Sequence, residues 1–164
     1  MFEGATEFNQ DIGDWDISNA TDLGEMFAEA TSFNQDIGDW DLSSVLDTSA
    51  ILRGATSFNH DITNWDVSSV NDFEAMFAFT SFNQDISSWD VSSGTDYAYM
   101  FLGATSFNQD ISNWDVSNGE SFYGMFSFAT DFDQDLRDWD LDSIPGKPLH
   151  IFNGADQMLS LIHI

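Results

Sequence analysis

The chain has 164 residues, of which 29 are acidic and only three are Lys or Arg, so its formal net charge at pH 7 is −26. Nucleic acids and anionic membranes are bound by basic surfaces, so this charge argues against both as partners. No run of about 18 apolar residues occurs, which argues against direct membrane insertion. Hydrophobic residues make up 42% of the chain and there is no cysteine, so we expect a fold held by packing rather than disulfides.

Near-copies of one stretch, residues 106–117, recur along the chain and indicate a repeat protein. Each copy contains one tryptophan, and the steps between successive tryptophans are 25, 25, 24, 25 and 25 residues. We assign residues 1–141 to tandem repeats and residues 142–164 to a degenerate terminal repeat with a non-repeat tail. Met1–Thr6 resembles Met100–Thr105, so the chain begins in mid-repeat and is expected to be a fragment of a longer protein.

The first half of each repeat follows the frame Ile-x-x-Trp-x-Ile of residues 12–17, with Leu or Val at the last position in the other repeats and Leu at the first position in the sixth. The tryptophan and the next apolar residue are two positions apart, which predicts a short extended strand with both side chains facing the core. Parallel pairing between repeats is expected. The predicted strands are Gly13–Ile17, Gly38–Leu42, Thr63–Val67, Ser87–Val91, Ser112–Val116 and Arg137–Leu141.

The second half changes its period, because Leu23, Met26, Phe27 and Ala30 fall at helical spacing. Residues suited to a helix N-cap precede this stripe, and Gly54 and Gly103 are placed to end a helix in a left-handed conformation. The predicted fold class is therefore an α/β repeat solenoid with about six 25-residue units. Each unit is expected to contain one short parallel β-strand and one short helix.

Stacking would align identical polar residues from repeat to repeat. An asparagine series is expected to hydrogen-bond the backbone of the next coil: Asn9, Asn34, Asn59, Asn83 and Asn108. Turn hydrogen bonds are expected for one aspartate series: Asp11, Asp36, Asp61, Asp85, Asp110 and Asp135. A second aspartate series is expected to face outward: Asp16, Asp41, Asp66, Asp90, Asp115 and Asp140.

Neighbouring carboxylates of such a series repel one another, and bound calcium is one way to offset the repulsion. Screening by salt and outward splaying of the side chains are the alternatives. The candidate metal ligands are Asp66, Asp90 and Asp115, although the chain contains no glycine-rich calcium loop. No other cofactor is expected.

The tryptophans could in principle form a sugar-stacking platform, but their apolar frame favours a place in the core. The sequence contains no nucleophile elbow, phosphate-binding loop or zinc motif, and it predicts no catalytic residue. Carboxylate pairs that repeat six times look like architecture and not like an active site. An enzyme is therefore not expected.

Two segments resemble a known repeat: Phe-Asn-Gln-Asp-Ile-Ser-Asn-Trp-Asp-Val-Ser at residues 107–117 and Met-Phe-Leu-Gly-Ala-Thr-Ser at residues 100–106. They resemble the BspA-like surface-protein repeat, which is also found as a domain of unknown function in mycoplasma surface lipoproteins. The family is similar to leucine-rich repeats. The resemblance implies a secreted or cell-surface protein that is adhesive or ligand-binding, with no catalytic residues to carry over.

The leading functional hypothesis is a non-enzymatic surface module that binds a protein or a glycan. A calcium-stiffened structural spacer is the alternative, and a fragment of a glycan-processing enzyme that uses aspartate pairs is a remote one. The ligand is expected on the strand face, where the repeat offers rows of carboxylates and hydroxyls. The binding-face candidates are Asp16, Asp41, Asp66, Ser68, Asp90, Ser92, Asp115 and Ser117.

Overall fold

A computed structural model of the chain describes residues 1–139, 141 and 150–152. In these residues each repeat is one coil built from consecutive turns, and equivalent positions of successive coils hydrogen-bond to one another. None of the described residues lies in a helix or in a continuous strand. The sheet-type pairing among them is limited to four isolated parallel bridges, which join Asp22, Asp47, Asp72, Asp96 and Ser121 in sequence.

The predicted α/β solenoid is therefore wrong, and the predicted strands are turns. In Gly13–Ile17 the Trp15 N–H donates to the Ile12 carbonyl at 3.1 Å, which folds the segment instead of extending it. The Asp11 carboxylate accepts the N–H of Gly13 and holds the same turn. Asp, Ser and Gly compete with strand pairing in this way because they offer the backbone local hydrogen bonds. Equivalent turns replace the other predicted strands within the described residues.

The predicted helices are also wrong, because two residues per repeat have a left-handed backbone. In the first full repeat these are Glu25 (φ 57°) and Glu29 (φ 58°), whereas an α-helix needs φ near −63° throughout. Gly54 and Gly103 are left-handed too, with φ of 70° and 65°, but they lie inside a series of turns and not at helix ends.

These left-handed residues lie on one side of the stack, which we call the ladder wall: residues 21–29, 46–54, 71–79, 95–103 and 120–128. Along the ladder wall alternate residues donate their N–H to the next coil, as Phe77 does to the Met100 carbonyl at 2.9 Å. The residues between them close turns inside their own coil, as Met76 does with the Phe73 carbonyl. In a helix these backbone N–H groups would bond to carbonyls of their own coil, and none would be left to donate to the next coil.

The core is a set of aromatic stacks that run along the protein. One ring per repeat, such as Phe107, is stacked between its equivalents Phe82 and Phe132 at centroid distances of 6.4 and 5.8 Å. A second stack contains Phe101 and Phe126, whose centroids are 5.5 Å apart. Each coil has too little apolar area to fold alone, so burial between coils is the main source of stability.

Five of the six tryptophans lie in this core, as the apolar frame predicted, and each also links two coils. Trp65, for example, is 3% exposed, and its Nε1–H donates to the Ile37 carbonyl of the preceding repeat at 2.9 Å. The same bond is made by Trp40, Trp89, Trp114 and Trp139. Trp15, in the first repeat of this chain, is 41% exposed.

The asparagine series joins the coils outside the ladder wall, and this prediction is confirmed. The Oδ1 atom of Asn83 accepts the N–H of Asn108 at 2.9 Å and the Nε2–H of Gln109 at 2.8 Å. The equivalent bond runs from each asparagine of the series to the next repeat, ending at the N–H of Asp133. Side chains thus replace the backbone ladder on this side of the stack.

Candidate functional site

The most regular exposed surface is a row of aspartate–serine pairs, one pair per coil. We call it the Asp–Ser row, and its members are Asp16–Ser18, Asp41–Ser43, Asp66–Ser68, Asp90–Ser92 and Asp115–Ser117. In each pair one carboxylate oxygen, Oδ1, accepts the serine N–H at 3.0–3.1 Å. In the first four pairs the serine hydroxyl also donates to the same oxygen, at 2.6–2.7 Å.

These hydrogen bonds fix the direction of each carboxylate. Hydrogen bonding from the paired serine lowers the pKa of Asp16, Asp41, Asp90 and Asp115 below the usual value for aspartate. The neighbouring carboxylate opposes this in two cases, since Asp41 raises the pKa of Asp16 and Asp115 raises that of Asp90, but the hydrogen bonds are the larger effect. These four carboxylates therefore keep their charge at neutral pH despite the repulsion between coils.

All five aspartates of the Asp–Ser row are exposed, as the sequence predicted, but they lie at turns and not on a strand face. Ser68 and Ser92 are partly buried and Ser117 is exposed. Within residues 1–139 the second oxygen, Oδ2, of each row carboxylate accepts no hydrogen bond from the protein, so it remains open to a ligand. The sixth predicted member, Asp140, is outside the described residues.

No positive side chain neutralises the row in the part of the chain that the structure describes. Arg53 pairs with Glu29 on the ladder wall at 3.0 Å, and Arg137 pairs with Asp135. Lys147 is outside the described residues. The charge of the Asp–Ser row is therefore available to a partner from solution.

The other expected aspartate series has a structural role, which confirms the prediction of turn hydrogen bonds. Each member accepts the N–H of the residue two positions later, at 2.9–3.1 Å, beginning with Asp11 and Gly13. A third aspartate series, which includes Asp22, Asp72 and Asp96, was not recognised from the sequence. Together with Asp47 they form the isolated bridges and hold the first turn of the ladder wall.

A metal site does not emerge from the described residues, which contain no group of three or more His, Asp or Glu side chains placed to hold an ion. Calcium binding at Asp66, Asp90 and Asp115 stays a prediction. A cavity of about 300 Å³ lies beside the first repeat, where Trp15, Leu23 and Met26 contribute to its lining. Asp16 is the one aspartate of the Asp–Ser row that lines this cavity, so the cavity is not a site shared by several carboxylates of the row.

Sequence reasoning also missed a group of aromatic side chains on the ladder wall, which we call the aromatic patch: Phe79, Tyr99, Tyr123 and Phe128. Three of its members are strongly exposed, with 51% for Phe79, 47% for Tyr123 and 57% for Phe128. The helical interpretation placed these positions on the outer face of short helices and gave no reason to single them out. The available signal was the use of Phe79 and Phe128 where other repeats have Gly54 and Gly103, and of Tyr99 where the next repeat has Gly124.

Among the described residues no helix has the length and apolar character needed to cross a membrane. Comparison with known proteins gives one family match, in two overlapping segments, residues 1–81 and residues 61–163. The matching family is described as a Mycoplasma protein of unknown function, DUF285. No curated protein and no solved structure matches the chain. The match confirms the resemblance to a mycoplasma repeat family of unknown function, while the likeness to leucine-rich repeats conflicts with the observed backbone.

Proposed function

We propose that this chain, which belongs to the DUF285 family of Mycoplasma proteins of unknown function, is a non-enzymatic module that captures cationic protein segments on its Asp–Ser row. One observation carries the proposal. The row presents the same carboxylate in five successive coils, each held by a serine and each with one oxygen left for a partner. Lysine and arginine side chains are the complementary groups, because they donate hydrogen bonds and carry positive charge.

Repetition along the stack supports binding of an extended segment. A surface carboxylate paired with one cation in water contributes little, about 0–1 kcal/mol. Several such contacts made by one flexible segment add together, since the first contact raises the effective concentration for the next. The serine hydrogen bonds also reduce the entropy that each carboxylate loses on binding. The BspA-like resemblance suggests that this binding takes place at the cell surface or outside the cell, where the module would act in adhesion.

The direct test is the association rate of a synthetic lysine–glycine peptide. Asp66→Asn, Asp90→Asn and Asp115→Asn in one variant should lower this rate about tenfold at low salt, because steering by charge is lost. Asparagine Oδ1 can still accept the serine N–H, so the turns should remain folded. The difference should shrink as salt is added.

The matched control changes three exposed acidic residues outside the row, Glu7→Gln, Glu120→Gln and Asp131→Asn. Its net charge equals that of the row variant, and its association rate should stay within about twofold of the parent, since charges away from the site steer weakly. Equal loss in both variants would show that net charge alone drives binding. An unchanged rate in the row variant would place the site elsewhere.

The pH dependence of peptide binding gives a second test of the proposal. The serine hydrogen bonds lower the pKa of Asp90 and Asp115, so these groups stay ionised as the pH falls to the ordinary aspartate value of about 4. Peptide binding should therefore persist to about pH 4 and weaken only below it. Loss of binding already near pH 5, well above that ordinary value, would show that other groups hold the peptide.

A further inference from the structure

The aromatic patch occupies strained backbone. Phe79, Tyr99 and Phe128 have φ of 58°, 59° and 59°, a left-handed conformation that is rare for bulky residues. Glycine, which adopts it freely, takes the equivalent positions in other coils: Gly54 and Gly103 correspond to Phe79 and Phe128, and Gly124 corresponds to Tyr99. The turns therefore do not require aromatic side chains here. Strain that the fold does not require is typical of functional surfaces.

Glycines of the neighbouring coils leave space for two rings of the patch. A Cβ atom at Gly103 would approach Cδ1 of Phe79 to 2.6 Å, so the glycine makes room for the ring of the preceding coil. Gly124 does the same for Tyr99, whose Cδ1 would be 2.9 Å from an added Cβ. The Tyr99 ring also meets the Tyr123 ring edge to face, with centroids 5.4 Å apart. Adjacent coils thus bring the rings of Tyr99 and Tyr123 together, while half or more of Phe79 and of Phe128 faces solvent.

The charge around the patch indicates the kind of ligand. Glu74 is exposed on the same wall, beside Asp72 and Asp96. Partial burial and then the charges of Asp96, Asp72 and Asp47 raise the pKa of Glu74, so the negative potential here is not neutralised. Arg53 is the one described cation of this wall, and it is paired with Glu29. A polyanion would be repelled, whereas a cation that stacks on aromatic rings would be favoured.

We propose that the aromatic patch docks arginine side chains of the captured protein segment and gives the module a preference for arginine over lysine. The inference rests on the proposed function, because the Asp–Ser row supplies the general attraction for cations. Arginine is the better fit because its planar guanidinium stacks on aromatic faces and is more weakly hydrated than the lysine ammonium. Exposed carboxylates of the same wall, such as that of Glu74, can accept its N–H groups.

The test compares two peptides of equal length and charge, one of arginine and glycine and one of lysine and glycine. The parent chain should bind the arginine peptide about tenfold more tightly, as expected for a few exposed cation–π contacts. A variant with Phe79→Gly, Tyr99→Gly and Phe128→Gly should bind both peptides equally. It should also stay folded, because glycine is native at equivalent positions, and its melting temperature checks this.

Ala75→Gly is the matched control, since Ala75 has the same left-handed backbone (φ 52°) but no ring, and it should leave the preference unchanged. A preference for arginine that survives in the folded triple-glycine variant would overturn the inference. The inference would also be overturned if the parent binds neutral dextran and this variant does not, because the patch would then be a carbohydrate site. Failure of the proposed function is distinct, because the Asp66, Asp90 and Asp115 variant would then bind the lysine peptide like the parent.

Discussion

Trp65→Ala should lower the free energy of unfolding by about 3–5 kcal/mol, the usual cost of truncating a buried aromatic side chain. Trp65 is 3% exposed, stacks on Trp89 at 6.2 Å and donates its Nε1–H to the Ile37 carbonyl. The substitution removes these contacts from the middle of the stack. Chemical denaturation followed by far-ultraviolet circular dichroism would measure the change.

Trp15→Ala is the control within the same chain, because Trp15 is 41% exposed. Trp15→Ala should lower the free energy of unfolding by less than half as much as Trp65→Ala. Trp65→Phe should fall between the two, since it keeps a ring but loses one hydrogen bond, worth on the order of 0.5–1.5 kcal/mol. If Trp65→Ala changes the free energy of unfolding by less than about 1 kcal/mol, far below the usual effect of opening a cavity, this tryptophan is not part of the core.

Phe101→Ala should be similarly costly, about 3–5 kcal/mol, because Phe101 is at the centre of the aromatic core. Its ring is 4.0 Å from that of Phe107 and is stacked between Phe77 and Phe126 at 5.6 and 5.5 Å. The second repeat offers the matched substitution, since the fully buried Leu52 takes the equivalent position there. Phe101→Leu should therefore cost roughly 1.5 kcal/mol or less. Equal costs for alanine and leucine in the same denaturation experiment would contradict the stacked core.

The sequence allowed the buried positions to be predicted better than the backbone that buries them. Leu23, Met26, Phe27 and Ala30 are all buried, as their spacing predicted. Two consecutive four-residue turns place side chains at the same intervals as two turns of helix, so periodicity could not separate the alternatives. Glycine at equivalent positions two repeats apart, as at Gly54 and Gly103, was the sign of left-handed turns, but it was interpreted as a set of helix ends.

The candidate site was predicted in part. Repetition alone predicted an exposed aspartate series, and the structure places its described members outward. The role of the serines was missed, because a strand would have left Ser18 and Ser43 free, whereas a turn brings each hydroxyl to the aspartate two residues before it. The aromatic patch could not be predicted, because its exposure depends on left-handed backbone that no helix or strand assignment contains.

The stack of turns underlies both proposed binding surfaces, and NMR couplings across hydrogen bonds test it most directly. We expect a coupling between the Phe77 amide nitrogen and the Met100 carbonyl carbon, since the Phe77 N–H donates to that carbonyl at 2.9 Å. The HN–Hα couplings of Ala75 and Tyr99 should indicate positive φ. A coupling from Phe77 to the carbonyl of Phe73, four residues earlier, with negative φ at both positions, would show a helix and contradict the account.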